Sequence, residues 1–198
     1  MATYVALLRA VNVGGNTLKM DRLRSLCAEL GLADARTYLQ SGNIVFEARG
    51  SSSHWSRTLE RALAGQSRLP VAVILRSAAE MARVVAGNPF LREPGVDPAR
   101  LYVTFLRQAP TPAGIKALNA LNDGADRLAT VGTEIYLYCP GGYGRTRLSN
   151  NAIERTLDAQ ATTRNWNTVK ALLEMSAKPP PTAASPSAAN RKPGAGPA

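Results

Sequence analysis

Leu7-Leu8-Arg9-Ala10-Val11-Asn12-Val13-Gly14-Gly15-Asn16 is an apolar run that stops at two glycines. From Asp21 the period changes: Leu23, Leu26, Cys27 and Leu30 recur at helical spacing, Arg22, Arg24 and Glu29 fall outside them, and Gly31 supplies a stop. The stretch reads as strand, Gly-rich loop, helix. Such a junction gathers backbone N–H groups and the positive end of a helix at one place, which suits an anion.

The pattern continues outward from there. Residues 36–39 and 44–48 read as short strands joined through Gln40-Ser41-Gly42-Asn43, whose glycine suits a tight hairpin. Serines 51–53 cap a helix carrying Trp55, Leu59, Ala62 and Leu63, and residues 71–75 form a fourth strand. The order β-α-β-β-α-β predicts an α+β ferredoxin-like sandwich over residues 1–76. Ser77-Ala78-Ala79-Glu80 is a capping box for a third helix with Met81, Val84 and Val85, and a Pro/Gly-rich segment closes a connector over 77–98. Residues 99–176 then form a second, smaller α+β domain. It has a strand over 101–106, a helix entered at Thr111-Pro112, a hairpin about Gly132-Thr133 and two C-terminal helices, the first capped by Ser149 and the second carrying Trp166, Val169 and Leu172. The element order repeats, without a clear residue-level repeat. Beyond 177 the chain is Pro, Ala, Ser and Gly, a composition that cannot offset its ordering entropy, so 177–198 is expected to be a disordered tail.

Lys and Arg number 24 against 14 acids, a net charge of +10, which points to acidic partners. Three of the cations, Lys178, Arg191 and Lys192, sit in the acid-free tail, leaving +7 on the rest. Cys27 and Cys139 are far apart and His54 is the only histidine, so no His/Cys metal site is nominated, nor a cofactor or a disulfide scaffold. Both cysteines read as small buried hydrophobes. No apolar run approaches the roughly 20 residues that span a bilayer, and the expected location is the cytoplasm, with no membrane partner.

In a β-α-β-β-α-β sandwich the first two strands run parallel with the third between them. The loop after strand one and the turn between strands two and three therefore share one end of the sheet. That places Asn12, Gly14 and Gly15 near Gln40, Ser41 and Asn43, with Lys19 and Arg9 as charge partners. Taken singly, each of these residues is explained by positive φ or strand capping; taken together they make a candidate ligand site. The loop is neither a Walker A nor a G-x-G-x-x-G motif. A second candidate is the loop 141–147, where Arg145 and Arg147 can grip phosphate or carboxylate, or simply be solvated. A third is Thr162-Thr163-Arg164-Asn165-Trp166-Asn167-Thr168, read as a polar helix N-terminus. Capping explains Thr163 or Asn165 and the core explains Trp166, but Arg164 is left over and is expected to share an anion or a buried carboxylate with one of the earlier loops.

No G-x-S-x-G, Cys/His pair or spaced carboxylate pair nominates a catalytic group, which leaves enzymatic activity open. Tyr4 and Phe46 alone do not make the multi-aromatic sheet platform of an RNA-recognition motif.

The chain resembles the domain-of-unknown-function family sixteen-ninety-seven, mostly uncharacterised bacterial proteins. The resemblance rests on Leu7-Leu8-Arg9 with Asn12-Val13-Gly14-Gly15, on Thr37-Tyr38 with Gln40-Ser41-Gly42-Asn43, on Asn88-Pro89-Phe90, and on Thr163-Arg164-Asn165-Trp166-Asn167-Thr168, and covers roughly residues 3–176. Ala10 stands where the family often has glycine. The resemblance implies a two-part α+β protein that includes a ferredoxin-like unit, and it carries over no catalytic residue. The sequence thus supports a protein that binds a small anionic or phosphorylated ligand at the Gly/Asn loops. Sequence-tolerant nucleic-acid binding, or an enzyme acting on a phosphorylated small molecule, are the alternatives.

Overall fold

The computed structural model describes residues 1–9, 18–32, 34–38, 42–64, 66, 70–122 and 124–177. The chain runs β1 (Ala2–Arg9), α1 (Met20–Glu29), β2 (Arg36–Tyr38), β3 (Asn43–Ala48), α2 (Ser52–Leu63), β4 (Ala72–Ser77) and α3 (Ala78–Ala86). After two 3-10 turns it continues through β5 (Leu101–Leu106), α4 (Pro112–Leu121), β6 (Arg127–Val131), β7 (Glu134–Tyr138), α5 (Asn150–Leu157), β8 (Ala161–Asn165) and α6 (Trp166–Ala177). Two four-stranded antiparallel sheets result, ordered β2-β3-β1-β4 and β6-β7-β5-β8. In the first, β1 and β2 run parallel with β3 between them, the split arrangement expected from the element order.

One sequence reading is corrected. Residues 162–165 are not a helix N-terminus but the end of strand β8, and the helix begins only at Trp166. The β-branched pair Thr162-Thr163 fits a strand, and its partner is β5, sixty residues earlier in the chain. The cap assignment at Asn165 holds, since its Oδ1 accepts the Thr168 N–H at 2.8 Å.

With β8 in place, both halves read β-α-β-β-α-β-α, and a residue-level repeat does exist. Tyr4-Val5-Ala6-Leu7-Leu8-Arg9 matches Tyr102-Val103-Thr104-Phe105-Leu106-Arg107. Pairing follows the match: Val5 faces Arg76 and Val103 faces Arg164 on the last strands, while Leu7 faces Asn43 and Phe105 faces Glu134 on the third. The repeat is faint because, Arg76 and Arg164 apart, most of the other equivalent positions are filled by different residues.

Strand period 2 decides the layers. Tyr4, Ala6 and Leu8 point to α1 and α2, where Leu23, Leu26, Leu59 and Leu63 cover them. Val5 and Leu7 point the other way, into a core shared with Val103 and Phe105 of the second sheet. Helices α3 and α6 pack on each other within this shared core, contributing Met81, Val84, Trp166, Val169 and Leu172. A third core, with Leu118 of α4 and Ile153 of α5, covers the outer face of the second sheet. Tyr4 and Phe46 are therefore core residues, 7% and 2% exposed, and cannot stack bases from the sheet surface.

Helix α3 starts at the capping box read from sequence: Glu80 N donates to Ser77 Oγ at 3.2 Å and Ser77 N to Glu80 Oε2 at 2.7 Å. Burial pushes the Glu80 carboxyl up, but the Ser77 N–H and hydroxyl, with Arg76 and Arg83, outweigh it and hold the group below 4.5. A depressed carboxyl contributes stability above its unfolded value, and that part is lost as pH falls through the folded value. Ser77→Ala is expected to cost about 1 kcal/mol in urea unfolding at pH 7. The loss should shrink between pH 5 and pH 3; a loss that does not change with pH contradicts the account.

Candidate functional site

Strand β1 ends at Arg9, and the next described residue is Leu18; strand β2 ends at Tyr38, and the chain resumes at Gly42. Asn12, Gly14, Gly15, Gln40 and Ser41 lie outside the described residues. Their flanks meet as expected, for Leu7 pairs with Asn43 and Leu8 N donates to the Gly42 carbonyl at 2.8 Å. Gly42 has φ of 72°, the left-handed region that the turn requires of a glycine. Lys19 is exposed and sits at the N-cap position of α1 without a side-chain cap.

The side chain that reaches this end of the first sheet comes from the other half. Arg164 is 8% exposed. Its Nε donates to Asn43 Oδ1 at 2.6 Å, Nη2 to the Leu8 carbonyl at 3.0 Å, and Nη1 to Thr162 Oγ1 at 2.7 Å and the Thr163 carbonyl at 2.9 Å. Asn43, fully buried, turns its Nδ2 to the Tyr38 carbonyl at 2.9 Å, which fixes the amide so that its oxygen faces the guanidinium. Every described hydrogen-bond acceptor on Arg164 is uncharged. Desolvation pulls its pKa down to about 10, so the group remains a cation at neutral pH while burial works against that charge.

The same construction stands at the equivalent place in the second half. Arg76, 7% exposed, donates Nε to Glu134 Oε1 at 2.7 Å, Nη2 to the Leu106 carbonyl at 2.8 Å and Nη1 to the Leu75 carbonyl at 2.8 Å. Thr133 Oγ1 donates to the same Glu134 oxygen at 3.0 Å. Leu106 matches Leu8, Leu75 matches Thr163, and Glu134 matches Asn43. The two arginines thus differ in one decisive respect: one faces a carboxylate and the other an amide.

A second crossed pair ties the halves together. Arg9 meets Glu154 at 2.7 and 3.0 Å, and Arg107 meets Glu60 at 2.7 and 3.1 Å. The hydrogen bonds that Arg9 donates to Glu154 raise the Arg9 pKa further, and burial offsets part of the rise. Among the described residues Arg9 is paired with Glu154. Arg145 and Arg147 are both exposed, on the segment leading to α5, and among the described residues neither enters the Arg164 cluster. Sequence reasoning found Arg164 and Asn43 but missed Arg76, Glu134 and the Leu8 carbonyl. The signal that finds them is the Tyr-Val-x-x-Leu-Arg repeat at 4–9 and 102–107.

Among the described residues no group of His, Cys, Asp and Glu could hold a metal ion, and no helix is long and apolar enough to cross a membrane. Burial pushes the thiols of Cys27 and Cys139 up to about 11, which makes them poor nucleophiles.

These features define a duplicated α+β protein with a buried arginine at each junction of its halves. Residues 1–136 match the model of the family described as Protein of unknown function (DUF1697), and the chain belongs to that family. A conserved bacterial protein from Streptococcus pneumoniae has the same fold, with a TM-score of 0.70 at 23% identity, covering 90% of this chain and 99% of that one. No curated protein sequence matches.

Proposed function

We propose that the protein binds a small anionic ligand at the end of the first sheet where Arg164 meets Asn43. One observation carries this reading: a buried guanidinium, Arg164, stands at the end of the first sheet that the Gly/Asn loops adjoin in sequence, donating to Asn43 Oδ1 at 2.6 Å and to the Leu8 carbonyl at 3.0 Å. A guanidinium offers N–H donors in a planar fork that matches carboxylate and phosphate oxygens. In sequence, the segments 10–17 and 39–41 contain no acid and no base, only glycines, carboxamides, hydroxyls and apolar residues. Residues of these kinds can supply neutral N–H and O–H donors to an anion.

Small-ligand binding is favoured over nucleic-acid binding because Arg164 is only 8% exposed, which suits a small anion better than a polyanion lying on the surface. A phosphorylated substrate and a chemical step at this site would be a further layer, for which the described residues offer no general base.

The test is a thermal-shift screen of small carboxylates, phosphates and nucleotides against the full chain. A ligand at one hundred times its Kd should stabilise the fold by about 2.7 kcal/mol, which raises Tm by roughly 5–10 °C in a chain of this size. Arg164→Met and Gly15→Val should abolish the shift. A stable Arg164→Met variant that keeps the full shift places the site elsewhere.

A further inference from the structure

We infer that the cavity between α2 and the outer edge of β4 is a second anion site, one that takes the phosphate group of a small phosphorylated molecule. It shares no residue with the cluster at Arg164 and stands independently of it. The cavity has a volume of about 290 Å³ and is lined by Arg57, Arg76 and Arg107 together with Ser52 and Ser53, and no carboxylate is among its lining residues. Arg57 is exposed and makes no hydrogen bond or ion pair among the described residues. Arg107 holds Glu60 with Nη1 and Nη2, which leaves its Nε–H as a donor. Three guanidiniums stand against two carboxylates, those of Glu60 and Glu134, so a positive field remains.

The backbone supplies a further donor. Strand β4 is an edge of the first sheet, so its outward N–H and C=O groups need partners from outside the sheet. Leu8 N donates toward β3, so Val5, Leu7 and Arg9 bond to β4, and along the cavity the outward groups are those of Val73 and Leu75. Val73 N donates to Glu60 Oε1 at 3.0 Å, Ser56 Oγ donates to the Val73 carbonyl, and Arg76 Nη1 donates to the Leu75 carbonyl at 2.8 Å. Of these four groups the Leu75 N–H alone has no acceptor among the described residues, and Leu75 is 7% exposed. A buried N–H beside arginines is a seat for an anionic oxygen. The other half builds the same frame without the added charge. Ala161 N donates to Glu154 Oε1 at 2.9 Å as Val73 N does to Glu60, and Asn150 Nδ2 takes the place of Ser56 at the Ala161 carbonyl. That match puts Asn151 where Arg57 stands. Asn151 Oδ1 accepts from Arg9 Nη2 at 3.0 Å, and the cavity beside Arg9 is lined by Glu154 and Asp158. Arg57 cannot accept from Arg107 and brings a second cation instead. The donors come from α2, from the edge of β4 and from the end of β5, three directions that fit the oxygens of a tetrahedral phosphate better than the two coplanar oxygens of a carboxylate. The volume exceeds that of a phosphate alone and lies at the small end of ligand pockets, which leaves room for a small organic group.

The experiment is a protein-observed NMR titration of the full chain with methyl phosphate, and separately with acetate, at fixed ionic strength. Methyl phosphate should shift the Leu75 backbone amide resonance, and acetate should bind there at least tenfold more weakly. Arg57→Ala, an exposed change within a helix, should keep Tm and weaken methyl phosphate binding at this amide at least tenfold. An unmoved Leu75 amide, or an unchanged affinity in Arg57→Ala, overturns the inference. Methyl phosphate that moves the Arg164 Nε–H resonance but not the Leu75 amide also overturns it, and leaves the reading at Arg164 standing. Acetate binding as tightly as methyl phosphate through the Leu75 amide overturns the assignment to phosphate.

Discussion

Glu134→Ala is expected to lower folding stability by about 3–5 kcal/mol, because it strands the guanidinium of Arg76 in the interior. Arg76 is 7% exposed and the Glu134 side chain 15%, so water does not replace the lost carboxylate. The carbonyls of Leu75 and Leu106 keep their hydrogen bonds to Arg76 but supply no charge. Glu134→Gln should cost less, about 1–2 kcal/mol, since the amide oxygen can still receive Nε. That variant also recreates at Arg76 the arrangement that Asn43 makes with Arg164. Urea unfolding with an unchanged m-value checks both numbers. A loss below 1 kcal/mol for Glu134→Ala means that the pair behaves as a solvated surface bridge.

Phe105→Ala should have an effect of similar size, about 3–5 kcal/mol, through the cavity it opens. Phe105 is fully buried and packs in the core that both sheets share with α3 and α6. Its place in that core links the halves, so the loss should lower one cooperative transition rather than detach the second half. Fluorescence of Trp55, under the first sheet, and of Trp166, in the shared core, reports on the two regions separately. Transitions that separate in the variant would contradict a single unit held by the shared core.

Much of this architecture is legible in the chain because burial writes a period. The alternation through residues 4–9 and the helical spacing of Leu23, Leu26 and Cys27 follow directly from which face each residue covers. The capping box at Ser77 and Glu80 is local and is equally readable. Strand β8 is harder to see, because Thr162, Thr163 and Asn165 are residues that also cap helices, and only pairing with a strand sixty residues away settles their conformation. Arg164 stands out in sequence as a charge among polar neighbours, yet its partners are long-range: Asn43 is 121 residues away and the Leu8 carbonyl 156. The contrast with Arg76 needs three dimensions, since Asn43 and Glu134 are equivalent only through their register with Leu7 and Phe105. The repeat that would have exposed it is carried by four identities in one strand, too few to stand out against ordinary strand composition.

The central claim is that the protein binds a small anion where Arg164 meets Asn43. Asn43→Asp tests it most directly, because the substitution places a carboxylate on the chain where Glu134 stands in the other half. Titrating acetate into the wild-type chain and the variant, with both folded at neutral pH, should show binding in the wild type and a loss of at least tenfold in the variant. Equal affinity in the two proteins would contradict the claim.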